Sequence, residues 1–319
     1  MCIRDRHICD RFLEGYGWNS RHHRPPMDLV SLYVDQVPEG DLSRERESRF
    51  EHLTIYPTVA DALTLGGSEL AVDGVLLIGE HGTYDTNAKG QRLYPRYELF
   101  KQIVAVYRTT GSTAPVFNDK HLGYRWRDAK HMVDTARRFR IPLMAGSSLP
   151  VTWRYPAREL PIGSKIQQAL VVGHSASESY LFHALEALQC VVERRHGGET
   201  GVSAVTALRG EEIWAAEKRG DWSRSLLKAA LRTLDASTEK LEERIKHPDT
   251  VFFLVEYRDG LKAMGAMFPS AIGPMPPKFS CQLAVACRVR QQTEPFACWM
   301  KTPGIPFPHF AELLQGIQH

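Results

Sequence analysis

Short apolar runs alternate with amphipathic stretches along the first half of the chain. Residues 27–35 (MDLVSLYVD) form a Val- and Leu-rich run closing on an acidic side chain, the pattern of a strand buried on both faces. A charged helical stretch follows at 42–50, and Thr58 three residues before Asp61 has the form of a capping box opening another helix. Residues 73–79 (DGVLLIG) and 115–118 read as further buried strands, with a helix over 97–107 between them. Over 125–140, Trp126, Ala129, Val133, Ala136 and Phe139 recur at helical spacing, and 141–145 is the next apolar run. Repeated strand-helix alternation of this kind predicts a parallel sheet covered by helices on both faces.

Beyond Gly146 the texture changes, and prolines at 150, 156 and 161 mark a boundary placed near residue 150. Strands are expected over 166–172 and 202–208, and a helix over 177–195. A second helix over 223–234 carries Leu226, Leu227, Ala230, Leu231 and Leu234 on one face, which reads as core. The Arg258-Asp259-Gly260 turn between the apolar runs 251–257 and 262–268 is a strong hairpin signal. Hairpins with few crossover helices imply a mixed or antiparallel sheet, and such an open sheet can also serve as a homo-oligomer face.

Composition narrows the classes. A formal charge of +3 from 40 basic and 37 acidic side chains creates no field that points to nucleic acid or an anionic membrane. Small-molecule partners are therefore expected. Cysteines at 2, 9, 190, 281, 287 and 298 form no C-x-x-C pair and no metal-ligand ladder, which fits reduced thiols in a cytoplasm and no bound metal. His22-His23 sits in a basic, proline-flanked HHRPP segment and reads as solvated loop. No apolar run reaches the length that crosses a bilayer, and the N-terminus lacks the apolar middle of a signal peptide. The opening MCIRDR resembles translated adapter sequence, so residues 1–6 are expected to be a non-native leader and the native chain to begin further upstream.

The densest chemistry lies at Asp119-Lys120-His121, directly after the strand at 115–118. Loops at the carboxyl edge of a parallel sheet face the ligand crevice, and a lysine there can donate a proton or hydrogen bond to a substrate hydroxyl. The alternative is an ordinary solvated loop lysine. Asp35, closing the first strand, can accept from the ribose hydroxyls of NAD while repelling the 2′-phosphate of NADP, or can equally cap a turn. Tyr94-Pro95-Arg96 and Trp153-Arg154 carry aromatic and guanidinium groups able to contact a sugar or carboxylate, and able equally to pack helix edges. No G-x-G-x-x-G occurs, since Gly15 and Gly17 follow no apolar strand; the phosphate-binding turn of a dinucleotide domain is missing.

Residues 73–146 resemble the second half of the nucleotide-binding domain of the Gfo/Idh/MocA oxidoreductase family. VDGVLLIGEH stands where the family has a strand ending in Thr-Pro-Asn or Thr-Pro-His, and VFNDKHL stands where it has a strand ending in Glu-Lys-Pro. The resemblance implies that Lys120 contacts both nicotinamide and substrate hydroxyl, that Asp119 replaces the glutamate orienting the ribose, and that Gly79 and His81 line the cofactor. His121 replaces the family proline. The segment from Ser179 to Glu186 resembles the family's Asp-x-Gly-x-His helix start, with His183 at the histidine and Ser179 at the aspartate. His183 is thereby a candidate base, although a lone histidine on an apolar helix face is also a common core residue.

The expected fold is thus α/β: a Rossmann-type parallel sheet over 7–150, incomplete at its N-terminus, followed over 151–319 by an α+β domain with an open mixed or antiparallel sheet. By the resemblance, the activity is NAD- or NADP-dependent oxidoreduction at a carbinol or carbonyl of a sugar, polyol or related small molecule, with NAD favoured. Two rival readings stand beside it. One is a carbohydrate-binding or scaffold protein that keeps the fold without the reaction, and the other is a lyase or isomerase assisted by NAD.

Overall fold

The computed structural model describes residues 3–80, 82–175, 177–236, 240–270, 272, 283–301 and 309–318. The chain divides into two compact units, one comprising residues 1–147 with 310–319 and the other 148–309.

The first unit opens with helix α1 (Ile3–Glu14), so residues 3–6 of the expected leader are helical, and continues into an antiparallel hairpin of β1 (Tyr16–Trp18) and β2 (Arg21–His23). Strand-helix alternation then follows as β3 (Ser31–Tyr33), α2 (Ser43–Arg49), β4 (Thr54–Tyr56), α3 (Val59–Thr64), β5 (Val75–Leu77), α4 (Arg96–Thr110), β6 (Val116–Asp119), α5 (Trp126–Phe139) and β7 (Leu143–Gly146). The Thr58 hydroxyl accepts from the Asp61 N–H at 3.0 Å and donates to the Asp61 carboxylate at 2.6 Å, so the α3 cap forms as its spacing predicts.

Three crossovers end in parallel pairing, β3 with β4, β5 with β6, and β6 with β7, whereas β4 and β5, joined through α3, lie in different sheets. These strands form two separate sheets, β3-β4 and β5-β6-β7. Among the described residues β3 pairs only with β4, and β5 pairs with β6 alone. Both strands line one cavity of about 1380 Å³, walled by side chains such as Leu32, Tyr33, Leu76 and Ile103. Beyond the strand ends, Gln36 joins the two halves: its Oε1 accepts from Thr83 N–H at 2.8 Å and its Nε2 donates to Thr83 O at 3.2 Å. The carboxyl ends of β3 and β5 therefore lie at the same edge, where ligands of parallel sheets gather.

One packing expectation needs correction. The buried stripe of α5 centres on Met132 and Ala136, and Trp126 is 80% exposed. At 3.6 residues per turn Trp126 stands about 120° round the helix from Met132, at the margin of the covered face.

The second unit contains β8 (Trp153–Tyr155), β9 (Ile166–His174), α6 (Ser177–Val192), β10 (Val202–Leu208), α7 (Glu211–Lys218), α8 (Arg224–Thr233), α9 (Leu241–Lys246), β11 (Val251–Tyr257), β12 (Lys262–Phe268), β13 (Ala284–Val289) and β14 (Phe296–Lys301). Its strands make a single seven-stranded sheet in the order β10-β11-β12-β9-β13-β14-β8, antiparallel except for β12 beside β9. Successive residues of β9 feed opposite faces: Ala169 and Val171 pack with Ala184, Leu188 and Val191 of α6, whereas Leu170 and Val172 pack with Leu227 and Leu231 of α8. Gly173 is needed where strands and side chains crowd, since a Cβ there would meet Met267 Sδ at 2.8 Å. The last helix, α10 (His309–Gln318), was expected with this domain; it packs instead in the first unit, where Ala311 and Leu314 bury Tyr16. Among the described residues no helix is long and apolar enough to cross a membrane, and no group of His, Cys, Asp and Glu could hold a metal ion.

Candidate active site

β6 is buried along its whole length, and immediately after it Lys120 adopts φ +68°. A left-handed conformation costs a residue with a side chain about 1–2 kcal/mol, so its surroundings must impose it. The Lys120 N–H donates to Gly146 O at 2.8 Å, extending the β6-β7 ladder by one bond. The Asn118 side-chain amide meets the next three carbonyls, those of Asp119, Lys120 and His121, at 3.3, 3.3 and 3.1 Å.

The lysine so placed is 4% exposed, which sets aside the solvated-loop reading. Its Nζ lies 2.7 Å from Asp119 Oδ2 and also pairs with Glu80 Oε2. Adjacent parallel strands thus deliver both carboxylates at their carboxyl ends. Arg96, the first residue of α4 and 1% exposed, completes the group. Its Nη2 is 3.4 Å from Glu80 Oε2, its Nε donates to Asp119 O at 3.3 Å, and its Nη1 is 3.1 Å from His121 Nε2. Two carboxylates and two cations are therefore held together with little water between them, where mutual attraction is several-fold stronger than at the surface and desolvation is costly. Gly79 has a packing role beside them: a Cβ would approach Arg96 Cγ to 2.9 Å.

Asp35 lies just beyond β3. Its two oxygens accept from the hydroxyls of Tyr33 at 3.1 Å and Tyr84 at 2.7 Å, a side-chain clamp in place of a turn cap. Burial, reinforced by the Asp35 carboxylate, raises both tyrosine pKa values, which keeps the hydroxyls as donors at neutral pH. A carboxylate offers about four acceptor positions, so this one retains room for further donors. Asp35, Gly79, Glu80 and Tyr84 all line the large cavity. His81 lies outside the described residues.

His183 lies in the second unit, on α6. It is 6% exposed, with Nδ1 3.4 Å from Glu186 Oε2 and its ring against those of Tyr180 and Phe182. Tyr180 also stacks on His174 at the end of β9, ring centres 6.0 Å apart. Burial holds the His174 pKa below its ordinary value, favouring neutral imidazole. Ser179, one turn earlier, is exposed.

The structure therefore gathers Gly79, Asp119 and Lys120 into one buried group and sets Asp35 on the wall of the same cavity. Sequence reading missed Glu80, Asn118 and His174, and left Arg96 open between a sugar or carboxylate contact and helix-edge packing, whereas it is the hub of the charged group. Glu80 and His174 carried a usable signal, because each stands at the carboxyl end of a strand as Lys120 does.

No family model matches the chain, and no curated protein matches its sequence. Solved structures do resemble it. GenD2 from gentamicin A biosynthesis, solved in complex with NAD, superposes with a TM-score of 0.50 at 14% identity, over 88% of this chain and 66% of that one. Myo-inositol 2-dehydrogenase from Lactobacillus plantarum gives 0.51 at 10% identity, over 98% of this chain and 84% of that one. The chain thus spans just under two thirds of GenD2, and at these identities the likeness concerns architecture. The chain has the α/β fold of these two structures, the fold that the resemblance to the Gfo/Idh/MocA family implied.

Proposed function

We propose that the chain performs NAD(P)-linked oxidation or reduction at a carbinol or carbonyl carbon of a sugar, polyol or related small molecule. The observation that carries this reading is Lys120, a buried amine at the carboxyl end of a parallel strand, held in a left-handed turn and joined through Glu80 to the wall of a large cavity. Likeness in fold to GenD2 and to myo-inositol 2-dehydrogenase supports the reaction class.

The residues present fit a dinucleotide at two points. The cavity, about 1380 Å³, exceeds the roughly 300–1,000 Å³ of ordinary small-molecule pockets. Asp35 keeps acceptor positions for ribose hydroxyls, and its charge opposes a 2′-phosphate, so NAD is favoured over NADP. When bound, the nicotinamide ring would supply the hydride acceptor or donor. The chain's own work is to orient and to move a proton. Lys120 hydrogen-bonds the substrate oxygen and exchanges its proton, Asp119 holds the amine in place, Gly79 flanks the cofactor, and His183 is the second proton-handling group.

Titration with NADH followed by nicotinamide fluorescence tests the reading: saturation below about 1 mM is expected, and no binding at that concentration overturns it. With a substrate in hand, Lys120→Met is expected to lower kcat by about 10²–10⁴-fold while NADH still binds. A second reading, a carbohydrate-binding protein without catalysis, is favoured by one feature: the Lys120 amine is already engaged by Asp119 and Glu80. Saturable polyol binding in a protein that ignores NADH would select it.

A further inference from the structure

We infer that Asn118 is the positioning residue of Lys120: its carboxamide fixes the left-handed turn that aims the amine at Asp119 and Glu80. This rests on the reading of Lys120 as the proton-handling group, but its test does not require that reading to hold.

Asn118 is the third of four fully buried residues of β6, opposite Leu77 on one side and Ala145 on the other. Its neighbours in register are apolar, and its own side chain is 0% exposed. The carboxamide folds forward along its own chain and offers its two N–H groups to the carbonyls of residues 119, 120 and 121. The orientation of the amide is set by those partners, since turning it over would oppose its oxygen to all three carbonyls. That oxygen, Oδ1, has no hydrogen-bond partner among the described residues.

The arrangement requires an amide. A leucine of nearly the same shape would remove the unpaired Oδ1 acceptor, but it would also withdraw the donor from three carbonyls, and leaving a buried acceptor unsatisfied is destabilising. What a leucine cannot do is hold three successive carbonyls on one side of the chain. Without that hold Lys120 is free to leave φ +68°, and its side chain to turn away from Asp119 and Glu80. The asparagine is explained by where it puts the lysine.

The test reads the lysine amine directly. Wild-type protein and Asn118→Leu are pulsed with an amine-acetylating reagent, and acetylation is quantified by peptide mass spectrometry. Lys130, on the exposed face of α5 with a side chain 57% exposed, serves as the internal standard. In wild type, Lys120 should acetylate far more slowly than Lys130. In Asn118→Leu the Lys120 rate should rise at least tenfold with Lys130 unchanged, in a variant whose circular-dichroism spectrum matches that of wild type. Asn118→Gln, which keeps the donor on a longer arm, should fall between the two. Wild-type protection of Lys120 in a folded leucine variant would overturn the inference. Where the leucine variant does not fold, Asn118→Gln carries the test, and protection of Lys120 equal to wild type in that folded variant would overturn the inference in the same way. Absence of NADH binding would leave this assignment standing and remove only the dehydrogenase reading. Where activity is measurable, Asn118→Leu should lower kcat and leave the KM for NAD unchanged.

Discussion

The two units bury their strands in opposite ways. In the second, strands of six to nine residues, β8 apart, join one sheet whose central positions are sealed on both faces; Val171, Val172, Phe252, Met264 and Ala284 have no exposed surface. In the first, strands of three or four residues form separate small sheets, and a cavity of about 1380 Å³ runs alongside two of them. Yet the first unit buries the densest polar group, Arg96, Asn118, Asp119 and Lys120, all at 4% exposure or less. Apolar cohesion and the densest buried charge are placed apart. The apolar sheet supplies most of the burial, while the loosely packed unit carries a strained lysine and the charges that hold it, as expected if local consistency is relaxed where function is built.

Charge removal should separate the units most widely. Glu80→Ala leaves Lys120 and Arg96 buried with one carboxylate fewer, and is expected to cost about 3–5 kcal/mol in urea unfolding. Glu217→Ala, which breaks the partly exposed pair with Arg224 in the second unit, should cost no more than about 1 kcal/mol. Equal losses would mean that the Lys120 group is as well hydrated as a surface pair. Apolar truncation should show the reverse order. Leu227→Ala, at a side chain with no exposure in the α8 contact, is expected to cost about 2–5 kcal/mol. Leu32→Ala already faces the cavity, has fewer neighbours to lose, and should cost about 1 kcal/mol or less. A larger effect at Leu32 would show that the cavity is closed in solution.

These contrasts also explain which features the sequence disclosed. Lys120 was legible because an apolar run ends directly before it and the carboxyl edge of a parallel strand is a local, readable place. Its burial was not, since the groups that enclose it, Glu80 and Arg96, stand 40 and 24 positions earlier and no periodicity links them. The helices at 58–64 and 223–234 were legible from a cap and an apolar stripe. Residues 27–35 were read as one long strand, whereas only Ser31–Tyr33 pair, because a Val- and Leu-rich run signals burial without fixing the extent of a ladder. β13 and β14 are apolar, cysteine-bearing runs with no clear alternation and no turn signal between them of the Asp-Gly kind, so local pattern does not mark them as a hairpin. Burial pushes the pKa of Cys287 and Cys298 up to about 12, so alkylation of the folded protein at neutral pH should spare both, and rapid modification would contradict the sealed sheet. The placement of α10 in the first unit rests on contacts with Tyr16, some 300 positions away, for which local pattern carries no signal.

The smallest expected effect concerns a polar group at one end of the apolar sheet. His174 terminates β9 against the ring of Tyr180, and burial depresses its pKa from the ordinary 6.5. An unfolded chain therefore takes up a proton at this imidazole as pH falls through about 6.5, at a pH where the folded protein still excludes it. The contribution to stability is complete above that pH and declines as pH drops toward the folded value, with a slope of at most about 1.4 kcal/mol per unit for one proton. His174→Phe keeps a ring on Tyr180 and carries no titrating group. Urea midpoints for wild type should fall between pH 7.5 and pH 5.5 by more than those of the variant. Parallel declines would place the responsible group elsewhere, and would leave the second unit's sheet as insensitive to protons as its apolar interior implies.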